Sequence, residues 1–202
     1  MLNVGLTGGI ACGKTLAGRF LLEAGIHVID ADDLAHSAIG RGGPAYQAVV
    51  DAFGSRILDA GGAIDRRRLG AIVFGDSASR ERLNAIVHPH VNAAWRQWLR
   101  ERAASGEWMA VVIIPLLFEV GLDAGWDAVI CVKTPPEIQR ERLAARGLTQ
   151  AEVELRLAAQ MPIQLKASKS EFVVDNTGTE AQLREQMLAI VAALAERTHG
   201  RA

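Results

Sequence analysis

A glycine, a four-residue gap and then Gly-Lys-Thr constrain this chain more than any other stretch, in Gly8-Gly9-Ile10-Ala11-Cys12-Gly13-Lys14-Thr15. The motif follows the apolar run Leu2-Asn3-Val4-Gly5-Leu6 and leads into Leu16-Ala17-Gly18-Arg19-Phe20-Leu21-Leu22. It therefore has the strand before it and the helix after it that a phosphate-binding loop requires. Gly8 and Gly13 open backbone angles closed to bulkier residues, so the intervening N–H groups can turn inward as a nest for phosphate oxygens. The nest lies at a helix N-terminus, where unpaired N–H groups and the helix dipole both favour an anion. This reading makes Gly8, Gly9, Ala11, Cys12, Gly13, Lys14, Thr15 and Leu16 a nucleotide site. Lys14 reaches the β- and γ-phosphates, the Thr15 hydroxyl is a ligand for Mg²⁺, and the Leu16 amide faces the α-phosphate.

Five short apolar runs punctuate the chain: Leu2 to Leu6, Ile26 to Ile29, Ala110 to Ile114, Ala128 to Val132 and Phe172 to Val174. Helical patterns separate them, which predicts an α/β fold with a five-stranded, mostly parallel sheet flanked by helices. Ligands in such sheets bind beyond the carboxyl ends of the strands. There the sequence places the loop, then Asp30-Ala31-Asp32-Asp33, Pro115-Leu116-Leu117-Phe118-Glu119, Thr134-Pro135-Pro136 and Asp175-Asn176-Thr177-Gly178, expected to ring one cleft. The segment between the second and third strands is far longer than one crossover helix needs. It carries helical patterns over Pro44–Phe53, Arg67–Phe74 and Ser79–Arg102, and reads as a helical insertion with a second binding surface. After the fourth strand, a helix over Glu137 to Arg146 sets Gln139, Arg142 and Arg146 on one face. Gly147 ends it, and Thr149 with Glu152 forms a capping box for a second helix through Gln160. Pro162 breaks that helix, and a basic segment with Lys166 and Lys169 follows. The arginine-faced hairpin reads as a mobile lid. The closing helix, Thr179 to Arg197, stripes Leu183, Met187, Ile190, Val191 and Leu194 for packing.

Of the 202 residues half are apolar, enough for one compact domain with insertions. The formal charge of −1 gives no general attraction to nucleic acid or to anionic membranes, so small molecules are the expected partners. No apolar run approaches a membrane span, and strand and loop are reached too early for a signal peptide, which points to the cytoplasm. The two cysteines make neither a disulfide framework nor a metal knuckle. Cys131 reads as a buried hydrophobe. Cys12, beside Lys14 and a helix N-terminus, is expected to have a lowered pKa.

A GTPase is expected to carry Asn-Lys-x-Asp, and no Asn-Lys pair occurs. The third strand ends in Pro115 rather than the magnesium-binding Asp of motor ATPases. A small-molecule kinase needs a carboxylate for the acceptor hydroxyl, cations for the moving phosphoryl group and a water-excluding lid. Asp32, just past the second strand and with that strand expected beside the first, is the candidate base. Asp30 and Asp33 are rivals, since one aspartate can cap the helix expected to start near Leu34. Arg142 and Arg146 are candidates to clamp the phosphates.

In series, Asp30-Ala31-Asp32, Ile64-Asp65-Arg66, His88-Pro89, Pro115-Leu116-Leu117-Phe118-Glu119, Gln139 with Arg142 and Arg146, Arg156 with Gln160, and Phe172 to Asn176 resemble the dephospho-coenzyme A kinase family over essentially the whole chain. The resemblance implies a P-loop kinase fold and ATP-dependent phosphorylation of the ribose 3′-hydroxyl of dephospho-coenzyme A, giving coenzyme A and ADP, with Mg²⁺ as cofactor. It implies a catalytic base at Asp32, with Lys14 and Arg142 also catalytic, and ATP contacts that include Arg146 and, at the adenine end, Asn176. Acceptor contacts are implied for Arg66 and His88, with Leu117 and Glu119 lining the floor between the substrates. His88, before Pro89, has the alternative of fixing a turn at a helix boundary. The implied layout is one kinase domain over 1–202: a core of 1–33, 108–136 and 170–202, an acceptor-binding helical insertion of about 34–107, and a lid of about 137–169. The expected partners are ATP and dephospho-coenzyme A, in a monomer or weak homo-oligomer.

Where the family's loop usually reads Gly-Ser, this chain has Ala11-Cys12. If the backbone at Ala11 is ordinary the cost is slight; otherwise ATP binding weakens. Gly147 follows Arg146 directly, which shortens the lid hinge. Two rival readings stand beside this one. A nucleoside-monophosphate kinase shares the sheet and lid but calls for arginines in its acceptor pocket. A nucleotide-dependent switch binds ATP without transfer.

Overall fold

The computed structural model describes residues 1–199, so the last three residues of the expected core segment 170–202 lie outside the described residues. Five strands, β1 (Leu2–Gly8), β2 (His27–Asp30), β3 (Met109–Ile113), β4 (Ala128–Lys133) and β5 (Phe172–Asp175), form one sheet in the order β2-β3-β1-β4-β5. The β1–β3, β1–β4 and β4–β5 pairs are parallel, with Val4 opposite both Val111 and Ala128. Every residue of β3 is buried, as are all of β4 but Lys133, matching the unbroken apolar runs of strands covered on both faces. β2 is short and only half-buried throughout, as suits an edge. The expectation that β2 lies beside β1 is therefore corrected: β3 lies between them, and the more continuous apolarity of β3 is the physical reason.

Nine helices are described: α1 (Lys14–Glu23), α2 (Ala31–Ile39), α3 (Tyr46–Phe53), α4 (Arg66–Gly75), α5 (Ser77–Ala104), α6 (Pro136–Ala144), α7 (Gln150–Ala158), α8 (Ile163–Ser168) and α9 (Glu180–His199). The chain forms two compact units, one of Met1–Ile29 with Glu101 onward and one of Asp30–Arg100. In the first, the core joins Leu6, Phe20, Leu21, Ile113 and Ile130 with Leu183, Met187 and Leu194 of α9. Each such fully buried side chain contributes about 1.5–3 kcal/mol. The Asp30–Arg100 unit contains α2 to α4 and most of α5. Asp65 caps α4 by accepting from the amides of Arg67 and Arg68.

Beyond shifts of one or two residues at helix ends, three helical features differ from expectation. α2 starts at Ala31 rather than near Leu34, because Asp30 accepts from the Asp32 amide as its N-cap. α5 runs through Pro89, so His88 marks no helix boundary. Val87, Val91, Trp95 and Leu99 are buried at four-residue intervals along it, which offsets the backbone hydrogen bond that proline removes. The basic segment after Pro162 is the six-residue helix α8.

Candidate active site

The carbonyl groups of the loop between β1 and α1 are held by side chains. Lys14 Nζ donates to the carbonyls of Gly8 and Gly9 at 3.1 and 2.9 Å. Gln139 Nε2 donates to Ile10 at 2.7 Å, Arg142 Nη1 to Ala11 at 3.1 Å, and Asn176 Nδ2 to Cys12 at 2.8 Å. Five successive carbonyls are thus held by four side chains, while of the loop amides that of Ile10 donates to Gln160 Oε1 at 2.8 Å and that of Cys12 to the Gly9 carbonyl at 3.3 Å. α1 begins at this point with Gly13 as N-cap, and no side chain caps it. Its first-turn N–H groups, which a helix cannot pair internally, face a ligand position.

Both predicted glycines are needed. Gly8 has φ +152°, and a Cβ there would collide with the Val132 carbonyl. Gly13 has φ +96°, and a Cβ there would collide with Asn176 Nδ2. Ala11 is the one non-glycine described at positive φ, at +58°. Its methyl packs with Leu143 and Val153, and Ile10, Leu148 and Leu157 border the same small cluster. The apex of the loop is therefore seated in the α6–α7 hairpin.

The expected low pKa of Cys12 is overturned. The thiol is fully buried, and burial, which disfavours the thiolate, outweighs the lowering effect of the nearby Lys14 ammonium. Cys131 is pushed up to about 11, again mainly by burial.

Among the other predicted residues of this unit, Thr15 is exposed in the first turn of α1, with its hydroxyl available to an ion carried by phosphates, and Leu16 is half-buried. Arg142 is committed to the loop, also donating to Thr134 Oγ1 at 3.4 Å and to the Asn176 carbonyl at 2.9 Å. Asn176 is buried beneath Cys12. Arg146 lies past α6, exposed, where Leu148 N–H donates to Leu143 O and Gly147 N–H to Ala144 O. With Gly147 at φ +84° this is a Schellman end. Leu117 is wholly buried, filling the space over Gly5 beside Trp126. Glu119 is drawn into an anchor, its Oε1 accepting from Lys166 Nζ at 2.8 Å and from the Met161 amide at 2.9 Å. Lys166 is fully buried and donates also to the Pro115 carbonyl at 2.7 Å.

In the Asp30–Arg100 unit, Asp32 is exposed in the first turn of α2, and the capping role belongs to Asp30. Arg66 Nη2 meets His36 Nε2 at 2.6 Å. His88 is half-buried, and that burial lowers its pKa and favours the neutral ring.

Three loop-holding residues, Gln139, Thr134 and Gln160, are absent from the sequence-based site. Buried Thr134 donates to the Cys12 and Asn176 carbonyls, and Gln160 Oε1 accepts from the Ile10 amide at 2.8 Å. Thr134 carried a signal, since it is the polar residue that directly follows β4. Gln160 carried little, 150 residues from its partner.

The dephospho-CoA kinase family model matches residues 2–182. A dephospho-CoA kinase from Anaeromyxobacter dehalogenans is 47% identical over 91% of this chain and 87% of its own length. A solved structure from Thermus thermophilus superposes with TM-score 0.78 at 32% identity, covering 95% of this chain and 96% of that one. A dephospho-CoA kinase from Campylobacter jejuni superposes with TM-score 0.65 at 25% identity over the same shares.

Proposed function

The chain belongs to the dephospho-CoA kinase family, and we propose that its Gly8–Thr15 loop cradles ATP while Asp32 takes the proton from the acceptor's ribose 3′-hydroxyl. It is an ATP-dependent phosphotransferase that converts dephospho-coenzyme A to coenzyme A and ADP, the last step of coenzyme A synthesis. The observation that carries the reading is the set of five successive loop carbonyls held by Lys14, Gln139, Arg142 and Asn176. Amides fixed before the ligand arrives need no reorganisation as charge shifts in the transition state.

Lys14 is placed to leave the Gly8 and Gly9 carbonyls for the β- and γ-phosphates. Arg142 stabilises charge through the loop it holds, and exposed Arg146 reaches the phosphates directly. Asn176 borders the adenine end. The exposed Thr15 hydroxyl fits Mg²⁺, which takes one or two protein oxygens and fills its other positions with phosphate oxygens and water. When bound, the ion neutralises charge on the β- and γ-oxygens. Arg66 and His88 contact the acceptor, within an acceptor-binding segment of about 34–107. Residues of about 137–169 form the lid, whose base is fastened by the Glu119–Lys166 pair. The enzyme works as a monomer or weak homo-oligomer in the cytoplasm. Among the described residues no helix is long and apolar enough to cross a membrane.

The test is coupled ADP release with ATP and Mg²⁺ against dephospho-coenzyme A, AMP, CMP, adenosine and no acceptor. Release specific to dephospho-coenzyme A is expected. Release with AMP or CMP instead makes the protein a nucleoside-monophosphate kinase, and ATP binding without acceptor-dependent release makes it a switch.

A further inference from the structure

Gln139 and Gln160 hold Ile10 from both sides. Gln139, in α6, donates from Nε2 to the Ile10 carbonyl at 2.7 Å and to Cys12 Sγ at 3.3 Å. Gln160, just past α7, accepts from the Ile10 amide at 2.8 Å. The Ile10 carbonyl shares a peptide plane with the Ala11 nitrogen, so Gln139 fixes the plane before Ala11. Arg142, bound to the Ala11 carbonyl at 3.1 Å, fixes the plane after it. The torsions of Ala11 are the angles between those two planes. A free alanine strongly disfavours the left-handed region, by a margin glycine does not have. At φ +58° Ala11 therefore stays only because its neighbours over-determine it.

We propose that Gln139 and Gln160 are positioning residues that link the α6–α7 hairpin to ATP binding: Gln139 holds the peptide plane before Ala11, and Gln160 holds the plane before Ile10, so that together they keep the phosphate loop in one conformation. Without the clamp, Ala11 relaxes toward negative φ, the loop carbonyls leave their side-chain partners, and the fraction of molecules with a competent loop falls. Apparent ATP affinity falls by that fraction. The acceptor makes no use of this clamp. The proposal rests on the reading of Gly8–Thr15 as the ATP loop.

The test uses Gln139→Met and Gln160→Met, which keep length and volume but remove the hydrogen bonds, each also combined with Ala11→Gly. Binding of a non-hydrolysable ATP analogue is measured without acceptor, and kcat and both KM values are measured with dephospho-coenzyme A. Thermal melts verify folding, and Gln160, only half-buried, carries the test if Gln139→Met does not fold. Each glutamine variant is expected to weaken ATP binding about three- to tenfold, the range a lost hydrogen bond allows. The loss falls on the KM for ATP, not on kcat or the KM for dephospho-coenzyme A. Ala11→Gly is expected to improve ATP affinity more in Gln139→Met than in the wild-type chain, because glycine needs no clamp, and to change it in Gln160→Met no more than in wild type. Folded variants that bind the analogue as tightly as wild type overturn the proposal. So does an equal rise in both KM values, or an Ala11→Gly effect of the same size in Gln139→Met and in the wild-type chain. Failure of the wild-type chain to phosphorylate dephospho-coenzyme A would instead overturn the acceptor assignment, and analogue binding would still decide the clamp.

Discussion

Cys12 illustrates how burial reverses a conclusion drawn from neighbours in sequence. A lysine two residues away and a helix N-terminus both favour a thiolate, yet the thiol is enclosed by the loop and accepts from Gln139, and burial dominates. Both cysteines are buried with raised pKa, so the native protein is expected to leave an aromatic disulfide reagent unreacted at pH 8 and to release two equivalents after denaturation. Rapid reaction of one thiol in the native state contradicts this. His88 carries a second residue-scale prediction. Burial lowers its pKa in the fold, so below the unfolded value of about 6.5 the unfolded chain takes the proton first. Its contribution is fully present above that value and is lost as pH falls toward the folded pKa. Thermal midpoints between pH 7.5 and 5.5 should therefore fall less in His88→Gln than in wild type, and equal falls would remove His88 as the cause.

At the scale of elements, the α6–α7 hairpin is bound to its surroundings at two places, the loop apex at Ala11 and the Glu119–Lys166 pair that follows it. Lys166 has no solvent exposure, so Lys166→Met strands the half-buried Glu119 carboxylate and is expected to destabilise the protein by about 3 kcal/mol in denaturant titration. Adding Glu119→Gln should recover part of that loss; additive losses would mean the pair is not coupled. Much at this scale was legible in the sequence. The Thr149–Glu152 capping box forms as its spacing requires, and Gly147 adopts the left-handed end that its place after Arg146 suggested. α8 was not legible, because six residues give too little periodicity and the lysines dominate them. The clamp on the loop was hidden for a different reason. Gln139, Arg142 and Gln160 lie 129 to 150 residues from the carbonyls and amide they hold, and only the folded hairpin brings them together.

For the whole molecule, the sheet order decides what surrounds the loop. All five strands were readable from their apolar runs, but their order was not, because alternation of strands and helices says nothing about which strand returns to which neighbour. Length and polarity held the missing hint, since the half-buried His27–Asp30 belongs at an edge and the wholly apolar Met109–Ile113 belongs inside. The nucleotide loop and Asp32 fall in different compact units, so the roles assigned to them are separable by mutation. Asp32→Asn is expected to keep wild-type ATP affinity and to lower kcat by at least a hundredfold, as loss of a general base does. Near-normal turnover would remove Asp32 from that role. Lys14→Ala is expected to reduce kcat/KM steeply through lost transition-state stabilisation. The central claim is regiospecific transfer to one hydroxyl, and phosphorus NMR of the product formed from ATP and dephospho-coenzyme A tests it most directly. The account predicts a single new phosphomonoester on the ribose 3′-oxygen, appearing in step with ADP. A phosphate at any other position, or ADP formed with no new phosphomonoester, would contradict it.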